Sequence, residues 1–109
     1  MKTPHAAVSH DDREVEELKA DRELAVEYLR AAMEALNDPD DRSAGLLALR
    51  SVVRAYGGMT SVAADAGITR EALSRALSAN GNPTLKTLLA VLKAVGLRLT
   101  VETDSAILA

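Results

Sequence analysis

The stretch Thr60-Ser-Val-Ala-Ala-Asp-Ala-Gly-Ile-Thr-Arg-Glu-Ala-Leu-Ser-Arg-Ala-Leu77 decides the fold. It reads as a helix to about Ala66, a short turn, and a second helix from Arg70. Two closely crossing helices need a small side chain at the crossing, and Ala63 supplies one. Gly67 falls just past the end of the first helix, where a positive φ costs glycine little. Ile68 plugs the angle between the helices. Thr69 can accept a hydrogen bond from a free N–H in the first turn of the second helix. Val62, Ile68, Leu73 and Ala76 supply the apolar contacts of a helix-turn-helix. The outward positions of the second helix, Arg70, Glu71, Ser74, Arg75 and Ser78, are polar, a face suited to a DNA major groove. An ordinary helical hairpin is the alternative that these residues leave open.

A chain of 109 residues accommodates one domain with a modest core. Its apolar fraction of 48% is mostly Ala, Leu and Val, with two Tyr and neither Phe nor Trp. Such a composition favours helices. No apolar run approaches the roughly 20 residues of a membrane span. The opening Met-Lys-Thr-Pro-His has no hydrophobic stretch behind its Lys, so no secretory signal is expected either. Without cysteine there is no disulfide framework and no thiolate zinc site. The expectation is a cytoplasmic chain with no cofactor.

The net charge of −3 divides unevenly. Residues 1–42 carry six Lys/Arg against twelve Asp/Glu, a net of −6, whereas residues 43–109 carry seven against four, a net of +3. Phosphate binding depends on local potential, so the basic half can meet DNA within an acidic chain. The acidic half offers either a docking surface for a basic protein or simply solvated helix faces.

Spacing along the chain predicts an all-α core of five helices near residues 21–36, 39–56, 60–66, 70–78 and 84–95. Residues 1–20 read as a flexible acidic segment in which only Val15 and Leu18 offer apolar anchors. Asp21 is the N-cap of a helix with the face Ala25, Tyr28, Leu29, Ala32 and Leu36. Asp38 caps the next helix, with Pro39 at its first position. Asn80-Gly-Asn-Pro83 is a turn, after which Thr84 caps a helix whose face is Leu85, Leu88, Leu89, Leu92 and Val95. The expected core is Leu46, Leu49, Val53, Val62, Ala63, Ile68, Leu73, Leu77, Leu88, Leu89 and Leu92. Leu97 to Glu102 switches to period two and reads as one β-strand. A lone strand needs an outside partner, most simply its own symmetry mate and otherwise a toxin or partner sheet, unless these six residues merely pack as an extended tail. Leu97, Arg98, Leu99, Thr100 and Val101 are therefore the expected homodimer contact, with Leu97, Leu99 and Val101 covering the last helix. Residues 103–109 are left as a tail.

The chain also resembles a known family. Asp21-Arg-Glu-Leu-Ala-Val-Glu-Tyr-Leu29, Gly58-Met-Thr60, Val62-Ala63, Gly67-Ile-Thr-Arg-Glu71, Leu77-Ser78, Gly81-Asn-Pro83 and Val95-Gly-Leu-Arg-Leu-Thr-Val101 are similar to the addiction-module antidotes. These are HigA-like antitoxins with a lambda-repressor-type (XRE) helix-turn-helix. The likeness covers roughly residues 18 to 102. It implies a lambda-repressor-like domain over 21–102. It further implies an antitoxin that neutralises a cognate basic toxin of the RelE/ParE- or HigB-like class and represses their shared promoter. A stand-alone phage-type repressor and an interaction module without DNA binding are the alternatives. Two departures stand out. Ser61 follows the Met-Thr pair where many relatives have Gln, and Glu71 sits on the recognition surface, where an i, i+4 pair with Arg75 is available.

Carried onto this sequence, the resemblance assigns double-stranded operator DNA to Thr60, Ser61, Thr69, Arg70, Glu71, Ser74, Arg75, Ser78, Asn80, Asn82, Thr84 and Lys86. Thr60 and Ser61 would open the first motif helix and present free N–H groups to a phosphate. The arginines can fork onto guanine. Asn80, Asn82 and Thr84 would touch the DNA backbone, with Lys86 a further phosphate contact. Catalysis has no candidates: there is no phosphate loop, and no nucleophile stands beside a histidine. His5 and His10, five apart in a segment without periodicity, do not define a metal site.

Overall fold

In the computed structural model, which describes residues 10–104, six helices follow one another rather than five. They are α1 (His10–Ala20), α2 (Arg22–Ala35), α3 (Arg42–Ala55), α4 (Gly58–Ala66), α5 (Arg70–Ala76) and α6 (Leu85–Val95). The expectations for His5 and for residues 1–9 and 105–109 lie outside the described residues. Three helix starts follow from local chemistry. Asp21 Oδ1 accepts from Leu24 N at 3.1 Å, Thr69 Oγ1 from Ala72 N at 3.0 Å, and Thr84 Oγ1 from Thr87 N at 3.1 Å.

Asp38 does not cap α3. Its Oδ1 accepts from Asp40 N at 2.9 Å and its carbonyl accepts from Asp41 N at 2.9 Å, so Asp38 and Pro39 belong to a turn. The helix starts three residues later than expected, behind Asp41, whose side chain makes no capping bond.

The additional helix, α1, falls where a flexible segment was expected. Its two apolar residues, Val15 and Leu18, are both buried, and polar side chains of α3 and its C-cap hold the backbone around them. The Tyr56 hydroxyl donates to the Leu18 carbonyl at 2.7 Å. Ser51 Oγ donates to Glu14 Oε1 at 2.9 Å, and Arg54 pairs with Asp12 at 2.8 Å. Tyr28 of α2 borders the same joint. Burial first, and then hydrogen bonding to and the charge of Glu14, hold its phenol well above the usual tyrosine range.

The helices form two groups around one core. α2 packs along α3 with α1 across both, and α4 packs on α5 and α6. Leu29, Leu49, Val52, Val53, Val62, Leu73, Leu77 and Val91 are fully enclosed between them. Most of the expected core is buried, Ile68 and Leu88 are half-buried against it, and Leu89 is 44% exposed. The inner face of α6 is Thr87, Ala90, Val91, Leu92 and Val95, leaving Leu85 61% exposed. Residues 88–92 are apolar almost without interruption, so two stripes were available, and the one carrying the smaller Ala90 and Val91 faces inward. Arg22 Nη2 crosses from α2 to bond the Val95 carbonyl at 2.5 Å, tying the end of α6 to the start of the bundle.

No strand forms among the described residues. Leu97 N donates back to Leu92 O at 2.9 Å, and Leu97 packs on the core. Leu99 and Val101 are 46% and 92% exposed, so they do not cover α6 as the period-two reading required. A strand is defined by its partner ladder, and no described segment of this chain offers one.

Candidate nucleic-acid interface

The α4–α5 pair meets at Gly67–Thr69. Gly67 takes φ +73°, its N–H donates to Ala64 O, and Ile68 N donates to Ala63 O, both at 3.0 Å. These bonds satisfy carbonyls at the end of α4 as the chain turns. Leu73 and Leu77 are wholly buried, and Ala63 and Val62 beneath them nearly so, which fixes the opposite side of α5 outward. Arg70, Glu71 and Arg75 are exposed there, while Ser74 and Ser78 are half-buried. The Lys86 ammonium lies over the turn, 2.9 Å from where a Cβ on Gly67 would stand.

Several of the sequence-assigned polar groups are already occupied. Thr69 caps α5. Thr84 caps α6, and its hydroxyl also donates to Thr87 Oγ1 at 3.0 Å. Ser78 Oγ donates to Arg75 O at 2.7 Å. Ser74 is gripped from behind: Arg50 of α3 donates through Nη1 to its carbonyl at 3.1 Å and through Nη2 to its Oγ at 3.0 Å. A guanidinium against a carbonyl near the end of α5 also complements the helix dipole. Arg50 has no signal in the sequence, because its partner lies 24 positions away.

The expected Glu71–Arg75 pair does not form among the described residues. Both side chains are exposed, and Arg70, Arg75 and Lys86 have no side-chain hydrogen-bond partner among the described residues. At the other end of the surface, α4 begins at Gly58, behind Gly57, which offers no side-chain cap. Thr60 and Ser61 therefore lie exposed within the first turn, among N–H groups that no side chain satisfies. Asn80 and Asn82 are exposed in the following turn. That turn is closed by Gly81 N donating to Ser78 O at 2.9 Å. It leaves no space for a Cβ at Gly81, which would fall 2.0 Å from Ala76 O. Ser43 Oγ, from α3, holds the adjoining Ala79 carbonyl at 2.7 Å.

Among the described residues no three His, Cys, Asp or Glu side chains converge as metal ligands would, and no helix is long and apolar enough to cross a membrane. The arrangement is a helix pair with outward cations and exposed first-turn residues, groups of the kind that can bind an anion.

Comparison with known proteins places the chain in a family. A family model described as probable addiction module antidote protein matches residues 11–103. The chain belongs to that family. The matched stretch takes in α1 as well as the segment beyond α6. A relative in Haemophilus influenzae, itself an uncharacterized protein, is 47% identical over 57 residues, which are 52% of this chain and 58% of the relative. The match thus spans a little over half the length of that relative. No solved structure matches this antidote-family chain.

Proposed function

We propose that this chain is a DNA-binding antitoxin. It would neutralise a toxin of the RelE/ParE- or HigB-like class by binding it and repress their shared operon through α4 and α5. The observation that carries the DNA-binding reading is the trio Arg70, Arg75 and Lys86. All three are exposed, and unpartnered among the described residues, on or beside a helix whose other face is fixed by Leu73 and Leu77. Cations held away from internal partners are what counterion release from DNA requires, and arginine can fork onto guanine in the major groove. The open first turn of α4 at Thr60 and Ser61 suits a phosphate. A lone unit of this size makes few contacts. Two copies joined through residues 97–102 would set two α5 helices about 34 Å apart along a duplex.

Family membership supports the toxin-binding reading. The acidic surface of α1 and α2 complements a basic partner and would speed its encounter. The chain acts by binding alone.

Fluorescence anisotropy on the promoter of its own operon tests the reading. Affinity should fall steeply as salt rises from about 50 to 200 mM and exceed that for random duplex of equal length. Binding indifferent to salt or to sequence sinks the repressor role. Failure to co-purify with the product of the neighbouring gene sinks the antitoxin role.

A further inference from the structure

We propose that residues 98–102 pair antiparallel with the same residues of a second copy, in the one register centred on Thr100. This rests on the dimer suggested above and specifies its geometry. Among the described residues, four of the six exposed large apolar ones, Leu85, Leu89, Leu99 and Val101, lie on α6 or just beyond it, so this end of the fold is incompletely covered. Residues 98–103 form no backbone hydrogen bonds among the described residues, which leaves their N–H and C=O groups free for a ladder.

The sequence of this segment is complementary to itself in reverse. Centred on Thr100, Arg98 faces Glu102 of the partner subunit and Glu102 faces Arg98 of the partner subunit, giving two opposite-charge pairs around a central Thr–Thr pair. On the other side of the ribbon, Leu99 faces Val101 of the partner subunit, twice. Neighbouring registers lose one match or the other. Centring on Leu99 sets Arg98 against Thr100 and Glu102 against Gly96. Centring on Val101 keeps a charge pair, Arg98 against Asp104, but sets Leu99 against Thr103 and Glu102 against Thr100. A centre between two residues turns every apolar side chain toward a polar one, because side chains alternate faces with period two. Across residues 98–102, only the Thr100 register gives Arg98, Glu102, Leu99 and Val101 each a matched partner.

The chain has no cysteine, so a single introduced thiol reports on its own neighbour. Facing residues of an antiparallel pair lie about 4.5–5.5 Å apart at Cα, within disulfide reach. Thr100→Cys should therefore cross-link to a covalent dimer under mild oxidation, with unchanged helical circular dichroism. Leu99→Cys and Val101→Cys should each stay uncoupled alone but join when mixed. Arg98→Glu should weaken the dimer about tenfold or more, and adding Glu102→Arg should restore it. A wild-type dimer in which Val101→Cys or Leu99→Cys self-couples in place of Thr100→Cys overturns the register while leaving the dimer intact. So does a charge swap that fails to rescue. A wild-type chain that scatters light as a monomer overturns both the register and the dimer.

Discussion

The two ends of this bundle use their polar side chains in opposite ways. In α1–α3 they are directed inward or toward one another: Tyr56 to Leu18, Ser51 to Glu14, Arg54 to Asp12, Arg30 to Glu27, Lys19 to Glu16. In α4–α6 threonine caps, glycine turns and apolar packing hold the structure, and Arg70, Arg75 and Lys86 have no internal role. A helix held in place without its charged residues keeps them available for a ligand. A helix that needs them for docking, as α1 does with only two buried apolar residues, has fewer to offer.

The strongest way to break that contrast is to cut one core residue on each side. Leu18→Ala and Leu73→Ala should each cost about 2–5 kcal/mol in urea unfolding. We expect Leu73→Ala to take promoter binding with it. Leu18→Ala should release α1 and leave the DNA affinity of the folded fraction unchanged. Loss of binding in a folded Leu18→Ala variant would show that the two ends are one functional unit.

Overfilling comes next. Ala63→Leu, where α4 is buried against its neighbours, should destabilise by about 1–3 kcal/mol, and thermal unfolding measures it. A neutral result would mean that the crossing is looser than its near-total burial suggests. The charged residues sharpen the comparison further. Arg70→Ala and Arg75→Ala should each weaken operator binding by about 1–3 kcal/mol and shift stability by no more than about 0.5 kcal/mol. Arg54→Ala should do the reverse, costing up to about 1 kcal/mol of stability at a solvent-screened pair with DNA affinity unaltered.

The smallest effect is at high pH. Tyr28 holds its proton more tightly folded than unfolded, so the folded chain binds more protons once the pH passes the ordinary tyrosine value of about 10, and stability falls as pH rises further. Ultraviolet titration should show one phenol ionising late, and Glu14→Gln should bring it only part of the way down, because burial is the larger cause. A full return to the ordinary value would place the cause in the Glu14 charge instead.

Features set by neighbours in the chain were legible in the sequence. The caps at Asp21, Thr69 and Thr84, the left-handed Gly67 and the small Ala63 each depend on a few adjoining positions. Features set by distant partners were not. α1 stays helical because of Ser51, Arg54 and Tyr56, and nothing near Val15 announces them. Gly45 lets α2 and α3 approach until a Cβ there would sit 2.8 Å from Ala32 O, yet a small residue leaves no mark in a hydrophobic period. α6 had too many leucines for its inner face to be chosen by pattern. The outward positions of α5 followed directly from those of Leu73 and Leu77, whereas the grip of Arg50 on Ser74 joins two helices and was invisible.

The bond from Arg22 to Val95 closes 73 residues of chain, and this orders events in time. As the polypeptide leaves the ribosome, Arg22 emerges long before its acceptor has been made, so the first helices must settle with that guanidinium idle. Long-range closures carry a loop entropy that no local bond repays in advance. The carbonyl it grips stands one residue before Gly96, where the chain leaves α6. The direction in which the finished protein sends out its C-terminal residues is therefore steered by a side chain from near its beginning. A fragment that lacks Arg22 would still make α6 but would lose its hold on that exit.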